Sequence, residues 1–357
     1  MFGRTIRATA RSLYRVTAIL LVVELIARCT LWSFGPHVCI APDPGTGWKV
    51  RPNLQKVFNS ADGPYVIETN SRGMRDAEHS YEHTGNSYRI VALGACGTFG
   101  LGVDERETYV SQLEELVPNS ETINLAAIGF SADQQFIQLQ NVGLRYQPDL
   151  VIQFLIKQDG RSTFYPFVSL FGPKPHLTCG QDQVSLCPPT PELWSQALSL
   201  THLPIVASRF DAWNSALYSD SLPSNEARFR IIAQLLLQTQ KLCHDAGVDY
   251  LAVYVPEIAN VANFELYGKD SFVLIPRLLD YLQNEGQLSG VNLMSAVSDA
   301  QSTNTENPVF SPGDGRLSAR GHSVVAQRVA EAVKARPTFQ AIAKRDGIAS
   351  VAENDAP

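Results

Sequence analysis

A chain of 357 residues with 45% hydrophobic and 18% charged side chains is long enough for one large α/β domain with appendages, or for two small domains. Its net charge of −6 argues against nucleic acid as a partner, because binding a phosphate backbone needs clustered Lys and Arg. Six cysteines are too few for a disulfide scaffold at this length.

The first elements lie at the N-terminus. Arg4, Arg7, Arg11 and Arg15 come with no acid among them, and Val16 to Phe34 then form an apolar run about long enough to cross a bilayer core as one helix. Positive charge ahead of the run puts the N-terminus in the cytoplasm and the bulk of the chain outside, in the periplasm if the cell has two membranes. Glu24 and Arg28 interrupt the run, each costing about 2.5–3.5 kcal/mol at mid-depth, but their i, i+4 spacing lets them pair on one face. No small-residue cleavage site follows, and Arg28 spoils a lipoprotein-type site at Cys29, so an uncleaved anchor over residues 1–35 is favoured over a removed leader.

Residues 36–85 are rich in Pro, Gly, Asn and charge and read as a turn-rich lead-in. Regular structure is expected from 86 to 335. The strand YRIVALG precedes the helix ETYVSQLEEL, then come the strand TINLAAIG, the helix SADQQFIQLQNVGL and the strand PDLVIQFLI. Residues 160–222 break the rhythm with aromatics, prolines and Cys179 and Cys187, and read as an insertion in which those two cysteines are slightly favoured to be bonded. The rhythm resumes with the helix ARFRIIAQLLLQTQKLCHDAG, the strand VDYLAVYVP, the helix SFVLIPRLLDYLQNEG, the short strand VNLMSAV and the helix SARGHSVVAQRVAEAVKA. From Arg336 to 357 the tail is polar and Ala-rich and is expected to be flexible. Alternating strands and helices predict a parallel sheet covered on both faces.

In an open parallel sheet, reactive groups gather where strands end at their carboxyl side, so the loops after Leu93, Leu125, Ile156 and Val255 matter most. The first reads GACGTFGLGVDERETY and the second NLAAIGFSADQQ; the third is PDLVIQFLIKQDGRS and a fourth block, near the C-terminus, is SPGDGRLSARGH.

These blocks, in this order, resemble those of the SGNH/GDSL hydrolases, particularly membrane-anchored members, over about residues 45–335. Gly94, Thr98, Gly100, Gly102, Val103, Glu107, Thr108 and Tyr109 match the nucleophile loop. Asn124 and Gly129 match the second block, and Asp314, Leu317, Gly321 and His322 the last. The resemblance implies a flavodoxin-like three-layer α/β/α fold with a central parallel sheet, preceded by the transmembrane helix. It also implies ester hydrolysis or O-acyl transfer on carbohydrate esters; no cofactor is expected, and because His, Cys, Asp and Glu never cluster at zinc-like spacing no metal site is expected either. Departures from the pattern fall on the working positions. Ala95 stands for the usual Asp and Cys96 for the nucleophilic Ser, Ala126 for a Gly implied to donate to the oxyanion, Gln158 (beside Asp159) for the oxyanion Asn, and Arg316 for the catalytic His.

An arginine keeps its proton at physiological pH and serves neither as base nor as proton donor. The sequence thus favours a non-catalytic member that binds an envelope glycan or a partner protein. The competing reading is an atypical esterase or acyltransferase using Cys96, its thiolate favoured by Arg316. Asp314 beside Arg316 suggests an ion pair in the former triad position. His322 reads as structural, and His176, His202 and His244 as surface or helix-end groups. Phe164, Tyr165, Phe167, Phe171, Trp194 and Trp213 of the insertion suggest packing onto the sheet or, alternatively, a glycan-binding surface.

Overall fold

The computed structural model describes residues 14–23, 36–60, 62–83, 87–165, 167–168, 171–179, 184–189, 223–267, 274–303 and 306–345. Residues 14–23 are helical, with Val16, Ile19, Leu20, Leu21 and Val22 exposed. Among the described residues no helix is long and apolar enough to cross a membrane; the rest of the expected span, including Glu24 and Arg28, lies outside them.

Two antiparallel hairpins come first, β1 (Ile40–Asp43) with β2 (Gly47–Val50) and β3 (Gln55–Ser60) with β4 (Gly63–Glu68). The main domain begins with β5 (Tyr88–Leu93), α1 (Cys96–Phe99), α2 (Tyr109–Leu116), β6 (Ser120–Asn124), α3 (Ala132–Asn141), β7 (Leu150–Leu155) and α4 (Asp159–Ser162). Inside the insertion lie two small antiparallel pairs, β8 (Phe167–Val168) with β9 (Gly172–Pro173) and β10 (His176–Cys179) with β11 (Val184–Cys187). The chain continues with α5 (Asn225–Asp245), β12 (Asp249–Tyr254), α6 (Ile258–Tyr267), α7 (Leu274–Asn284), β13 (Gly290–Asn292), α8 (Met294–Thr303), α9 (Ala319–Lys334) and α10 (Pro337–Arg345).

Five parallel strands form the central sheet in the order β6-β5-β7-β12-β13, which in chain order of those strands is 2-1-3-4-5, the flavodoxin-like arrangement. β5 and β7 are buried at every position, as expected where helices cover both faces. The helices fall into two packed groups: α2, α8 and α9 with α6, and α3, α5 and α7 with α4. Chain order reverses between β5 and β7, and a ligand crevice opens at such a switch point.

The lead-in packs onto the sheet domain and builds a second core with it. Trp48, Val50, Tyr65 and Ile67 pack with Phe99, Leu101, Ile128 and Phe130 from the first two strand-end loops, and Trp48 Nε1 donates to the Ile128 carbonyl at 2.8 Å. In the following loop, Asn70 Oδ1 accepts from the N–H groups of Arg72 and Met74 at 2.9 and 3.0 Å. That fold aims Arg75 inward. Its buried guanidinium donates to the carbonyls of Val66 at 2.6 Å, Val103 at 2.7 Å and Phe99 at 3.3 Å, and also to Gly100. One arginine therefore satisfies three backbone acceptors of the loop after β5 and one of β4.

Beside it, His79 Nδ1 lies 2.8 Å from Glu121 Oε1 and its Nε2 3.1 Å from Asp76 Oδ2. Burial alone would depress the His79 pKa, but the two carboxylates outweigh it and hold it up at about 9. A folded pKa above the unfolded 6.5 gives stability that is whole below pH 6.5 and is lost as pH rises through 9. Urea unfolding is therefore expected to show a loss of up to about 3 kcal/mol between those limits, and His79→Gln to flatten the profile. A flat wild-type profile would rule the linkage out.

Three expectations are corrected. The tail is not flexible throughout: α10 is held by Phe339, buried edge-on against Tyr88 at 5.2 Å, and by ion pairing of Arg336 with Asp249. Residues 346–357 lie outside the described residues. The run VNLMSAV is strand only to Asn292, whose Oδ1 accepts from Met294 N at 3.1 Å and starts α8. In the β10–β11 hairpin Cys179 pairs with Val184 and Cys187 with His176. The two cysteines are three residues out of step, roughly 10 Å apart along the ladder, too far for a disulfide.

Candidate active site

β5 ends at Gly94, where any side chain would lie 1.9 Å from Thr98 Oγ1. The chain turns tightly there into α1, a single turn that places Cys96 first and Thr98 underneath. Thr98 Oγ1 accepts from the Tyr109 hydroxyl at 2.6 Å, and its carbonyl accepts from Asn124 Nδ2 at 3.1 Å. The Tyr109 N–H donates to His322 Nδ1 at 3.1 Å, with the two rings 5.1 Å apart. Burial, helped by the charge of Arg75, depresses the His322 pKa to about 3. His322 is thus a neutral acceptor fixed beneath the loop, the structural role expected of it. Left-handed Gly100, at φ +86°, then turns the chain back; a Cβ there would meet Thr108 at 2.3 Å.

The half-buried Cys96 Sγ accepts a hydrogen bond from Gly129 N–H at 3.3 Å. Burial pushes the thiol pKa up; the Gly129 N–H and the charge of Arg316 oppose it without prevailing, and Glu257 adds to the rise. The Ala126 N–H points elsewhere, into the Asn124 side chain, whose Oδ1 accepts it at 3.1 Å. Ala126 is therefore corrected as the donor. An Asx turn captures its amide, and Gly129, left-handed at φ +77°, supplies the N–H that faces the Cys96 sulfur.

Gln158 caps α4 with helical backbone; its carbonyl accepts from Ser162 N and Oγ at 2.8 and 2.7 Å, and its side chain is exposed. The neighbouring Asp159 is buried: Oδ2 accepts from Ile156 N at 2.8 Å, and Oδ1 has no partner among the described residues. Burial raises its pKa to about 7, with Asp133 and Glu257 contributing in the same direction.

Asp314 and Arg316 form the expected ion pair. Arg316 Nη1 lies 2.9 Å from Asp314 Oδ2, and the Arg316 N–H donates to Oδ1 at 3.1 Å. Left-handed Gly315 between them abuts Ile258, and Arg316 Cδ lies 3.6 Å from where a Cβ on Gly102 would sit. Residues 96, 102, 129, 257–258 and 314–316 thus converge at the carboxyl edge of the sheet. Glu257, directly beyond β12, was not singled out by sequence reasoning, although the loop after Val255 was; its pKa is raised by burial against the charge of Lys157. From the insertion, Phe164 is buried and Phe171 stacks on Trp48 with centroids 5.0 Å apart, so both pack inward. Trp194, Trp213 and His202 lie outside the described residues.

What the arrangement offers chemically is a thiol with one backbone N–H directed at it and a guanidinium close enough for its charge to act on it. Such an N–H is the element that stabilises an oxyanion. The cation favours a thiolate but takes no proton from it.

Residues 210–355 match the family model described as SGNH hydrolase-like domain, acetyltransferase AlgX. No curated protein matches. Among solved structures, the acetyl xylan esterase AlAXEase is 12% identical at a TM-score of 0.42, covering 69% of this chain and 99% of its own. A lipolytic protein of the G-D-S-L family from Desulfitobacterium hafniense DCB-2 is 10% identical at 0.41, covering 69% and 99%. Another G-D-S-L family member, from Veillonella parvula DSM 2008, is 12% identical at 0.40, covering 70% and 99%. Likeness this distant adds nothing to what the strand order says of the fold. The family match over the C-terminal part of the chain, taken with the four motif blocks, identifies the chain as similar to the SGNH hydrolase-like proteins.

Proposed function

We propose that this chain is a membrane-anchored, extracytoplasmic protein whose SGNH-like cleft holds an acylated carbohydrate of the cell envelope without cleaving it. One observation carries the reading: the residue in the base's place, Arg316, is permanently charged and bound to Asp314. An acyl-transfer cycle needs a group that takes a proton from the nucleophile and returns it to the leaving oxygen. His322, the nearest motif histidine, is locked as an acceptor of the Tyr109 N–H. The Gly129 N–H and the Arg316 guanidinium remain suited to an ester carbonyl or an anionic substituent. Anchoring is supported by the four leading arginines and by the exposed apolar side chains of residues 14–23.

A second reading rests on the Gly129 N–H facing Cys96 Sγ, with the charge of Arg316 opposing the rise that burial imposes on the thiol. In it the Cys96 thiolate attacks the ester carbon, an S–C bond replaces the C–O bond, the departing alkoxide takes a proton from water, and a second water hydrolyses the thioester to the carboxylic acid and the free thiol. Hydrolysis of p-nitrophenyl acetate by the full-length chain separates the two. Wild type and Cys96→Ala are expected to hydrolyse it at the same background rate. A rate that falls at least about tenfold in Cys96→Ala, equivalent to about 1.4 kcal/mol of barrier, would overturn the binding-only reading.

A further inference from the structure

A cavity of about 450 Å3 lies between the β1–β2 hairpin, the loop after β4, and α3, within the range typical of small-molecule sites. It shares Ala126, Ala127 and Phe130 with the loop that carries Gly129, but neither Cys96, Gly129, Asp314 nor Arg316 lines it. It is a different place from the cleft described above. We propose that this cavity is a second ligand site, taking a small organic anion that carries hydroxyl groups.

Charge is the first argument. Among the described residues, the charged side chains on its wall are Asp43, Lys49 and Arg72, which leaves one positive charge in excess. Asp43 is already occupied: its Oδ2 accepts from Gly45 N and Thr46 N at 3.1 Å and from Thr46 Oγ1 at 3.0 Å. Lys49 reaches it only loosely, at 3.7 Å. Arg72 makes no ion pair among the described residues. Its guanidinium is held in place by stacking, 4.4 Å over the Tyr81 ring and 5.9 Å from that of Tyr146, and by donation to the His79 carbonyl. Arg145 stacks on Tyr81 at 4.1 Å and stiffens the same wall. A guanidinium held by ring faces keeps N–H donors for a carboxylate, and its order is established before the ligand arrives.

Satisfaction of polar groups is the second. Gln138 Oε1, on the α3 side, is buried without a hydrogen-bond partner among the described residues. A buried amide end left unpaired costs about 1–3 kcal/mol. A hydroxyl satisfies it whichever way the amide is turned, since it both donates and accepts. Buried Met74, Leu125 and Phe130 supply an apolar floor, which suits a carbon skeleton and not a bare inorganic ion.

Three probes of equal carbon count dissect the proposal by calorimetry on the full-length chain in nanodiscs of neutral lipid: gluconate, sorbitol lacking the carboxylate, and hexanoate lacking the hydroxyls. Gluconate is expected to bind at least about tenfold more tightly than either. Arg72→Gln and Gln138→Leu are each expected to weaken it by a similar factor, while Cys96→Ala leaves it unchanged. Lys49→Gln, at an exposed side chain, serves as a second charge test beside Arg72→Gln, which is also exposed, should the Gln138 variant fail to fold. Equal binding of the three probes, no saturable binding of gluconate, or wild-type affinity in the charge variants overturns the proposal. Loss of gluconate binding in Cys96→Ala does so too, by moving the ligand to the other cleft.

Discussion

Ester hydrolysis is expected to appear when the family residues are restored together: Ala95→Asp, Cys96→Ser, Gln158→Asn and Arg316→His. Two contacts support the expectation. The Gly129 N–H faces the side chain of residue 96, and Asp314 already reaches both the backbone and the side chain of residue 316. An imidazole is smaller than the guanidinium arm that now lies over Gly102, so it fits without displacing backbone. A general base in that position is worth about 10²–10⁴ in rate, and the p-nitrophenyl acetate rate is expected to rise by that order over wild type. Ala95 is almost completely buried, so a carboxylate there costs stability. The triple variant that leaves Ala95 in place keeps the test clean. If folded triple and quadruple variants both stay at background, residue 316 does not occupy the base's position and the alignment fails.

The second large effect concerns stability. Lys174, in the insertion, is completely buried and pairs at 2.5 Å with Asp133 of α3, which is equally buried. Its ammonium also donates to the Pro175 carbonyl at 2.6 Å, and Asp133 Oδ1 accepts from Ser131 Oγ at 2.6 Å. Burial raises the Asp133 pKa and lowers that of Lys174, so each charge persists because of the other. Lys174→Met strands a carboxylate in the interior at a cost of about 3–5 kcal/mol. The melting temperature is expected to drop by roughly 6–20 °C, at about 2–4 °C per kcal/mol for a domain of this size. Asp133→Leu with Lys174→Met is expected to recover most of the loss, because a well-packed apolar pair removes both desolvation penalties. A single-variant loss below about 1 kcal/mol would contradict burial of the pair.

The sheet was legible in the sequence because its strands are short apolar runs bounded by turn residues, and periodicity registers such runs directly. TINLAAIG shows the limit: its apolar residues continue to Ile128, but pairing stops at Asn124, where the side chain turns back on the Ala126 amide. The lead-in was the least legible part. Its strands are four to six residues long and lie in hairpins outside the main sheet, and what stabilises them is contact with loops some eighty positions away. The tail was misread because its polar composition hides two anchors, Arg336 and Phe339, whose partners Asp249 and Tyr88 are remote in sequence.

At the site, residue types were readable and directions were not. The motif blocks located Cys96, Asp314 and Arg316, and the ion pair follows from their spacing. Which amide faces the sulfur depends on φ and ψ at 124–129, and no residue identity announces that. Glu257 carries no motif beyond its place at a strand end.

The indole of Trp48 holding the Ile128 carbonyl has a consequence for heredity. One support of the loop that carries Gly129 is encoded about eighty codons upstream of it, so recombination that joined this sheet domain to a foreign leader at residue 86 would deliver that loop without its prop. The two stretches are bound to drift in concert, and substitutions near 48 in descendants should be accompanied by compensating ones near 128 and 171.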